Sequence, residues 1–269
     1  MRYILVILSI VLLNKNALAQ ADSSFTLIRS YKGDITDAAL DNLGNLYIVS
    51  STGQVRKFNE AGDSVAIYNQ VRNYGKLFTI DVSNPLKILL FYKDYSSVVV
   101  LDRFLASIAT VNLKNFSILQ PAAVGLSYDN NIWVFDEYDS KLKKIDEQGN
   151  NLLESADFRS ALNASISPQR ILNDNGFVYL ADTTSGVFVF DNYGSFKRKV
   201  PLMNWQSIAV NRNNIISTKN ETITIFNSNT LLQSQKKNPF FAPYVHSFVS
   251  ADKFISFSPH NLAVYQIRY

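Results

Sequence analysis

Residues 41–65 read DNLGNLYIVSSTGQVRKFNEAGDSV, and this stretch decides the fold because it recurs along the chain. Residues 129–152 read DNNIWVFDEYDSKLKKIDEQGNNL, and residues 173–200 read NDNGFVYLADTTSGVFVFDNYGSFKRKV. Each copy contains a turn rich in Asn, Asp and Gly, an apolar strand, a polar loop and a second apolar strand. Alternating apolar residues between such turns are typical of β-hairpins. The copies therefore predict a repeated β unit.

The period of this unit is set by the residue pair that ends its third strand. In each copy an aromatic or aliphatic residue is followed by Asn or Asp, and successive copies begin 36 to 45 residues apart. A period near 40 residues with several short strands per unit is typical of a β-propeller. The pairs are Phe58-Asn59, Leu101-Asp102, Ile145-Asp146, Phe190-Asp191 and Phe226-Asn227, with Tyr265-Gln266 as a degenerate sixth.

The number of strands predicts how the ring closes. Units one to five each supply four strands, whereas the sixth unit ends at Tyr269 after its third strand. An additional strand, SFTLIRSYK at residues 24–32, precedes unit one. Pairing it with the last unit would leave no incomplete sheet. We therefore predict an all-β, six-bladed β-propeller over residues 22–269, with the N-terminal strand completing the last blade. A pair of β-sandwiches and a seven-bladed ring are the alternatives.

The first 19 residues form a separate segment. Arg2 gives a positive start, residues 3–13 are apolar, and small residues at 17–19 fit a cleavage site. This is the pattern of a secretory signal peptide, cleaved after Ala19 or Gln20. The apolar run is too short for a membrane-spanning helix, which needs about 20 residues. We therefore expect an exported protein, in the periplasm or on the outer surface of a bacterium, that is peripheral to the membrane at most.

Charge and cysteine content exclude several classes of protein. The formal net charge is +4, and removal of the signal peptide lowers it by two through the loss of Arg2 and Lys15. Such a small charge does not favour nucleic-acid binding. The chain has no cysteine, which excludes a disulfide scaffold, a thiolate metal site and a lipid-attached N-terminal cysteine.

The repeat resembles the NHL-type repeat of six-bladed propellers. The matching parts are the Asp/Asn-Gly turn, the Leu-Tyr or Val-Tyr strand, and the Phe-Asp or Phe-Asn ending. The closest match is VYLADTTSGVFVFDNYGSFKRK at residues 178–199. The resemblance implies architecture but no single function, because such propellers include enzymes, binding modules and scaffolds.

One face of the predicted ring is the expected ligand face. It carries the loops between second and third strands together with the connections between blades. The loops are residues 50–54, 93–97, 136–140, 182–185, 218–221 and 258–261, and the connections include 71–76, 156–170 and 236–245.

Asp136 and Asp182 occupy matching loop positions in adjacent blades. Two converging carboxylates could bind a cation or act as an acid/base pair. Resemblance to lactonase-like propellers implies a central Ca²⁺ held by Glu, Asn and Asp side chains. The chain departs from that pattern at Ser50, Tyr92, Thr218 and Phe257. A turn-capping role for each Asp is the alternative, so no metal site or cofactor is assigned and Ca²⁺ stays an open alternative.

The two histidines, His246 and His260, both fall in the sixth unit, and His246 begins a predicted inner strand, where we expect it to face the channel. Neither has a metal-site or catalytic partner at a recognisable spacing. No catalytic residue is therefore assigned.

Two connections carry the remaining candidate contact residues. Phe240, Phe241 and Tyr244 lie between prolines in the connection to the sixth unit, where exposed aromatic side chains would serve as anchors for a partner. The connection 156–170 is the longest and ends at Arg170. Packing of these aromatic residues under a neighbouring loop is the alternative.

Basic stretches on the third and outer strands, SKLKKID and SFKRKV, suggest lysines that protect sheet edges from aggregation.

These observations favour a non-catalytic binding or scaffold module for a protein or glycan partner in the cell envelope. A metal-dependent hydrolase or lactonase is one alternative, and a stoichiometric subunit of an outer-membrane or secretion assembly is another. We lean against an enzyme, because the sequence supplies only two aligned carboxylates and no nucleophile motif.

Overall fold

The computed structural model describes residues 25–70, 74–163, 165–237, 246–250 and 252–267. They form six four-stranded antiparallel sheets, which confirms the predicted six-bladed β-propeller. The predicted signal peptide lies outside the described residues.

Within the described ranges the structure has 24 strands, one short α-helix and two 3₁₀ helices. The helices are α1 (Phe158–Leu162) and the 3₁₀ turns Lys93–Tyr95 and Leu113–Phe116. The strands are β1 (Phe25–Lys32), β2 (Asp37–Leu40), β3 (Leu46–Val49), β4 (Val55–Phe58), β5 (Ser64–Tyr68), β6 (Thr79–Asn84), β7 (Lys87–Tyr92), β8 (Ser97–Asp102), β9 (Ser107–Asn112), β10 (Pro121–Leu126), β11 (Ile132–Asp136), β12 (Lys141–Ile145), β13 (Asn151–Glu154), β14 (Arg170–Asp174), β15 (Phe177–Asp182), β16 (Gly186–Asp191), β17 (Phe196–Val200), β18 (Ser207–Asn211), β19 (Asn214–Lys219), β20 (Thr222–Asn227), β21 (Gln233–Lys237), β22 (His246–Ser250), β23 (Lys253–Ser258) and β24 (Asn261–Ile267).

The last blade closes the ring as predicted. Blades one to five pair their strands in chain order, from β2–β5 to β18–β21. The sixth has the order β22, β23, β24 and then β1, so the first described strand is its outer strand. The antiparallel register runs from Phe25 opposite Ile267 to Lys32 opposite Asn261. This pairing joins the two ends of the described chain.

The Asn or Asp that defines the repeat closes the turn between the third and fourth strands. In blade two, Asp102 Oδ1 accepts hydrogen bonds from the backbone N–H groups of Phe104 and Ala106, at 2.8 and 2.9 Å. A short side-chain oxygen acceptor fixes such a turn locally. The side-chain oxygens that do this in the other blades are those of Asn59, Asp146, Asp191 and Asn227.

The hydrophobic core lies between neighbouring blades. Tyr47 of blade one packs in one cluster with Ile88 and Leu90 of blade two. Between blades three and four, Trp133 shares a cluster with Phe188. All five side chains are fully buried, as in the interior of an ordinary domain.

The inner strands approach one another closely around the axis. A Cβ atom added at Gly125 in β10 would lie 2.5 Å from the backbone oxygen of Ile171 in β14. Only glycine fits at such a distance from a neighbouring backbone.

The expectation that lysines protect sheet edges is wrong for blade three. Lys143 and Lys144 lie on β12, which pairs with strands on both sides, and both lysines are buried. Lys144 Nζ donates to Asp129 at 2.9 Å and lies 5.1 Å from the centre of the Trp133 ring. The ammonium group is stabilised there by a carboxylate and an aromatic face.

We predict that the closing strand contributes to stability through its inward-facing side chain. The Tyr31 ring packs against Phe58 of blade one, with ring centroids 4.7 Å apart. Tyr31→Ala should lower the free energy of unfolding by about 2 kcal/mol, because it removes this aromatic contact. Leu27→Ala on the same strand is the control, because Leu27 is exposed. Urea unfolding of both variants measures the difference, and equal stabilities would contradict the prediction.

Candidate functional site

A central channel runs between the inner strands and is the main candidate site. Its volume is about 660 Å³, and residues from the first strands of all six blades line it. Inner strands run from the predicted ligand face toward the opposite face, so their first residues meet at one end. We call this end the channel mouth and define it by Asp37 of β2, Arg170 of β14 and His246 of β22.

Arg170 and Asp37 form an ion pair across the channel mouth. They belong to blades four and one, which lie opposite each other in a ring of six. Arg170 Nη2 lies 3.9 Å from Asp37 Oδ2, and both side chains are about one-third exposed. A pair this long and this hydrated is worth no more than about 1 kcal/mol. Within the described ranges the guanidinium of Arg170 makes no hydrogen bond, and Arg170 lines the channel.

His246 lies at the same mouth but is not part of this pair. It is the first residue of β22, is exposed, and stacks on Phe257 with ring centroids 5.0 Å apart. His260 is exposed in the loop between β23 and β24. The aromatic candidates Phe240, Phe241 and Tyr244 lie outside the described residues.

Asp136 is fully buried and is bound by its own loop and by the connection before its blade. Its carboxylate accepts from the backbone N–H of Gln120 at 3.0 Å and of Tyr138 at 3.2 Å. Lys143 Nζ lies 3.1 Å from the other oxygen and also pairs with Asp139. Burial by itself lowers the pKa of Lys143, but the bonds to Asp139 and Asp136 outweigh it and raise the pKa.

Asp182 is held in the same manner in blade four. Its oxygens accept from the backbone N–H of Ser167 at 2.8 Å, of Thr184 at 2.7 Å and of Ser185 at 3.0 Å. Burial raises the pKa of this carboxyl, but hydrogen bonds from the Thr184 hydroxyl and these backbone groups outweigh burial and lower the pKa. Asp182 therefore ties the preceding connection to the loop between β15 and β16.

The structure thus gives both aligned carboxylates a turn-capping geometry, and their role toward a ligand stays a prediction. Across the described part of the chain, no three His, Asp or Glu side chains are grouped so as to hold a metal ion. No helix among the same residues is long and apolar enough to cross a membrane.

Sequence reasoning missed two residues of this site. Asp37 is the first residue of the strand DAAL, and its partner Arg170 is 133 positions away along the chain, so no local pattern marks it. Trp205, in the connection between blades four and five, lines both the channel and a neighbouring groove. The available signal in the sequence was a tryptophan shortly before the inner strand of blade five.

Comparison with known proteins finds no family in the sequence. No protein-family model matches the chain. No curated protein matches it either. The NHL-type resemblance therefore stays a prediction.

Solved structures, in contrast, match over nearly the whole chain. A catalytically inactive virginiamycin B lyase from Staphylococcus aureus aligns with a TM-score of 0.64 at 9% identity, covering 89% of this chain and 99% of the lyase. The Pan2 WD40 domain of Neurospora crassa gives 0.67 at 13% identity over 92% and 97% of the two chains. A Bacteroides fragilis protein whose name calls it exported gives 0.57 at 11% identity over 93% and 97%. At these identities the likeness shows the propeller fold alone.

We predict that Asp182 stabilises the fold in its ionised form. Asp182→Asn should lower the free energy of unfolding at neutral pH by about 1–3 kcal/mol, since an amide cannot accept all these bonds. The folded pKa is lowered, so the contribution of the carboxylate is complete above the unfolded value of 3.8 and disappears as pH falls through the folded value. The difference between wild type and variant should therefore shrink in acid.

Urea unfolding at pH 7 and at a pH below 3.8 tests this prediction. Asp94→Asn is the matched control, because Asp94 lies in the equivalent loop of blade two and is exposed. A stability gap that stays constant with pH would argue against the ionised carboxylate as the cause.

Proposed function

We propose that this protein is an exported, non-catalytic binding or scaffold module whose partner in the cell envelope, a protein or a glycan, docks at the channel mouth. The proposal also keeps the NHL-type relationship and the signal peptide predicted from the sequence. The observation that carries it is the partly exposed, weakly paired guanidinium of Arg170 at the opening of a 660 Å³ channel.

The chemistry of Arg170 favours an acidic group on the partner. A guanidinium presents several N–H donors in one plane and binds a carboxylate through two parallel hydrogen bonds. Its contact with Asp37 is 3.9 Å long, which is outside hydrogen-bond range. An incoming carboxylate can therefore replace a weak ion pair with a stronger one. A protein side chain or an acidic sugar supplies such a group.

The hydrogen bonds that Asp136 and Asp182 accept support a binding function over a catalytic one. Asp136 is bonded to Lys143 and to backbone N–H groups, and Asp182 accepts from three backbone N–H groups. A general base or a cation ligand needs lone pairs that point to the reacting group. These carboxylates instead hold the loops that form the docking face.

We predict that Arg170→Gln weakens the complex while Asp37→Asn does not. The protein would be tagged at its C-terminus, expressed in its native host and purified from gently solubilised envelopes, with co-purifying proteins quantified by mass spectrometry. A partner recovered near one-to-one with the wild type should fall about tenfold with Arg170→Gln, because a desolvated ion pair is lost. Asp37→Asn removes only the competitor of the incoming carboxylate and should leave recovery unchanged or higher.

Arg212→Gln serves as the control, because Arg212 is exposed in the turn between β18 and β19 at the opposite face. Equal recovery with Arg170→Gln and Arg212→Gln would reject docking at the channel mouth. A protein that elutes alone as a monomer would argue against a scaffold role.

A further inference from the structure

A second cavity opens between blades four and five, beside the channel. Its volume is about 640 Å³. One wall is the connection between the two blades, with Leu202, Met203 and Trp205. The other wall is a face of blade five, with Ser217, Thr224 and Gln235. We call it the interblade groove and define it by these six residues.

The register of blade five explains why the groove exists. Ile215 pairs with Phe226, and both pack against blade four. The next row on the same face of the sheet is offset by two positions. In it Ser217 pairs with Thr224, and Thr224 pairs with Gln235. This row lies next to the packed one but is made of small or flexible polar side chains.

Blades two and four fill this position with large apolar residues. The equivalent pair in blade two is Leu90 and Val99, and both pack into the interface with blade one. In blade four it is Leu180 and Phe188, which pack against blade three. Well-packed interiors leave few voids larger than a water molecule. The serine and threonine of blade five therefore leave a cavity where blades two and four have a packed core.

The two walls of the groove differ in chemistry. Trp205 and Met203 offer an aromatic ring and a thioether on the apolar side, and Met203 is about half exposed. Ser217, Thr224 and Gln235 offer hydroxyl and amide groups, each of which both donates and accepts hydrogen bonds. An apolar ligand would leave these groups without partners, which is costly.

The rim of the groove carries little net charge. Lys237 Nζ lies 3.2 Å from Glu221 Oε2, so these two charges are paired. Lys219 adds one further positive charge among the lining residues. Among the described lining residues, one lysine without an acidic partner and no arginine do not suit a phosphate-rich ligand. The groove therefore fits a ligand that is nearly neutral, polar on one side and apolar on the other.

We propose that the interblade groove binds one or two rings of an uncharged saccharide. A sugar ring has an apolar C–H face that packs on an aromatic side chain, and its hydroxyls pair with amides and hydroxyls. The volume falls in the range of about 300–1,000 Å³ that is usual for small-molecule sites. The assignment is independent of the Arg170–Asp37 pair, because none of the six residues that define the groove belongs to it.

A variant that closes the groove tests the proposal without unfolding the protein. Ser217→Leu combined with Thr224→Val copies the Leu90 and Val99 pair of blade two. Filling a cavity with apolar groups usually stabilises a fold. The variant should therefore melt at the same temperature as the wild type or higher, and lose sugar binding.

Saturation-transfer NMR would be recorded on the full purified protein with N,N′-diacetylchitobiose, maltose and cellobiose, and with trialanine as a peptide probe. We expect saturation transfer from the wild type to at least one disaccharide, and a loss of about tenfold or more in affinity in the filled variant. Arg170→Gln should bind the sugar normally, which separates this site from the channel mouth. Trp205→Phe should also retain binding, because the aromatic face is kept.

Three results would overturn the proposal. They are no transfer to any of the three disaccharides, equal transfer in the wild type and the filled variant, and transfer to trialanine alone. The last result would assign the groove to an extended peptide.

Discussion

A four-stranded blade has two apolar faces and cannot bury either of them by itself, and this constraint governs the whole molecule. Tyr47 and Trp133 are fully buried only because a neighbouring blade covers them. A row of blades would leave two apolar faces in water, whereas a ring leaves none. The antiparallel pairing of β1 with β24 completes the sixth blade, which packs against the face of blade one that an open row would leave in water.

The features that sequence predicted are those that a few adjacent residues determine. Asp102 was found because its turn needs a short oxygen acceptor within four residues, and the same need recurs in four other blades. The pairing of the N-terminal strand with the last blade was predicted by counting the strands in each repeat unit. The prediction that Lys143 protects a sheet edge was wrong because the local sequence shows only a positive charge. Its burial depends on an ion pair with Asp136, which lies on the neighbouring strand of the sheet.

The candidate site was only partly predictable, because its contacts cross the ring. Arg170 was predicted as a contact residue at the end of a long connection. Its pairing with Asp37 can be seen only in the folded ring, where blades one and four face each other. Asp136 and Asp182 illustrate the reverse case. Their alignment between blades is real, yet the structure shows each carboxylate bonded to its own loop. The interblade groove was invisible because it arises from side chains that are too small to fill a gap.

The pairing of β1 with the last described strand also limits when the propeller can finish folding. Strand β1 is synthesised first, but its partner β24 is the last described strand to be made. The ring cannot close until β24 has been synthesised, so blade six and the free face of blade one stay incomplete until then. A nascent chain would therefore display an open sheet edge, which is able to pair with other chains until the ring closes.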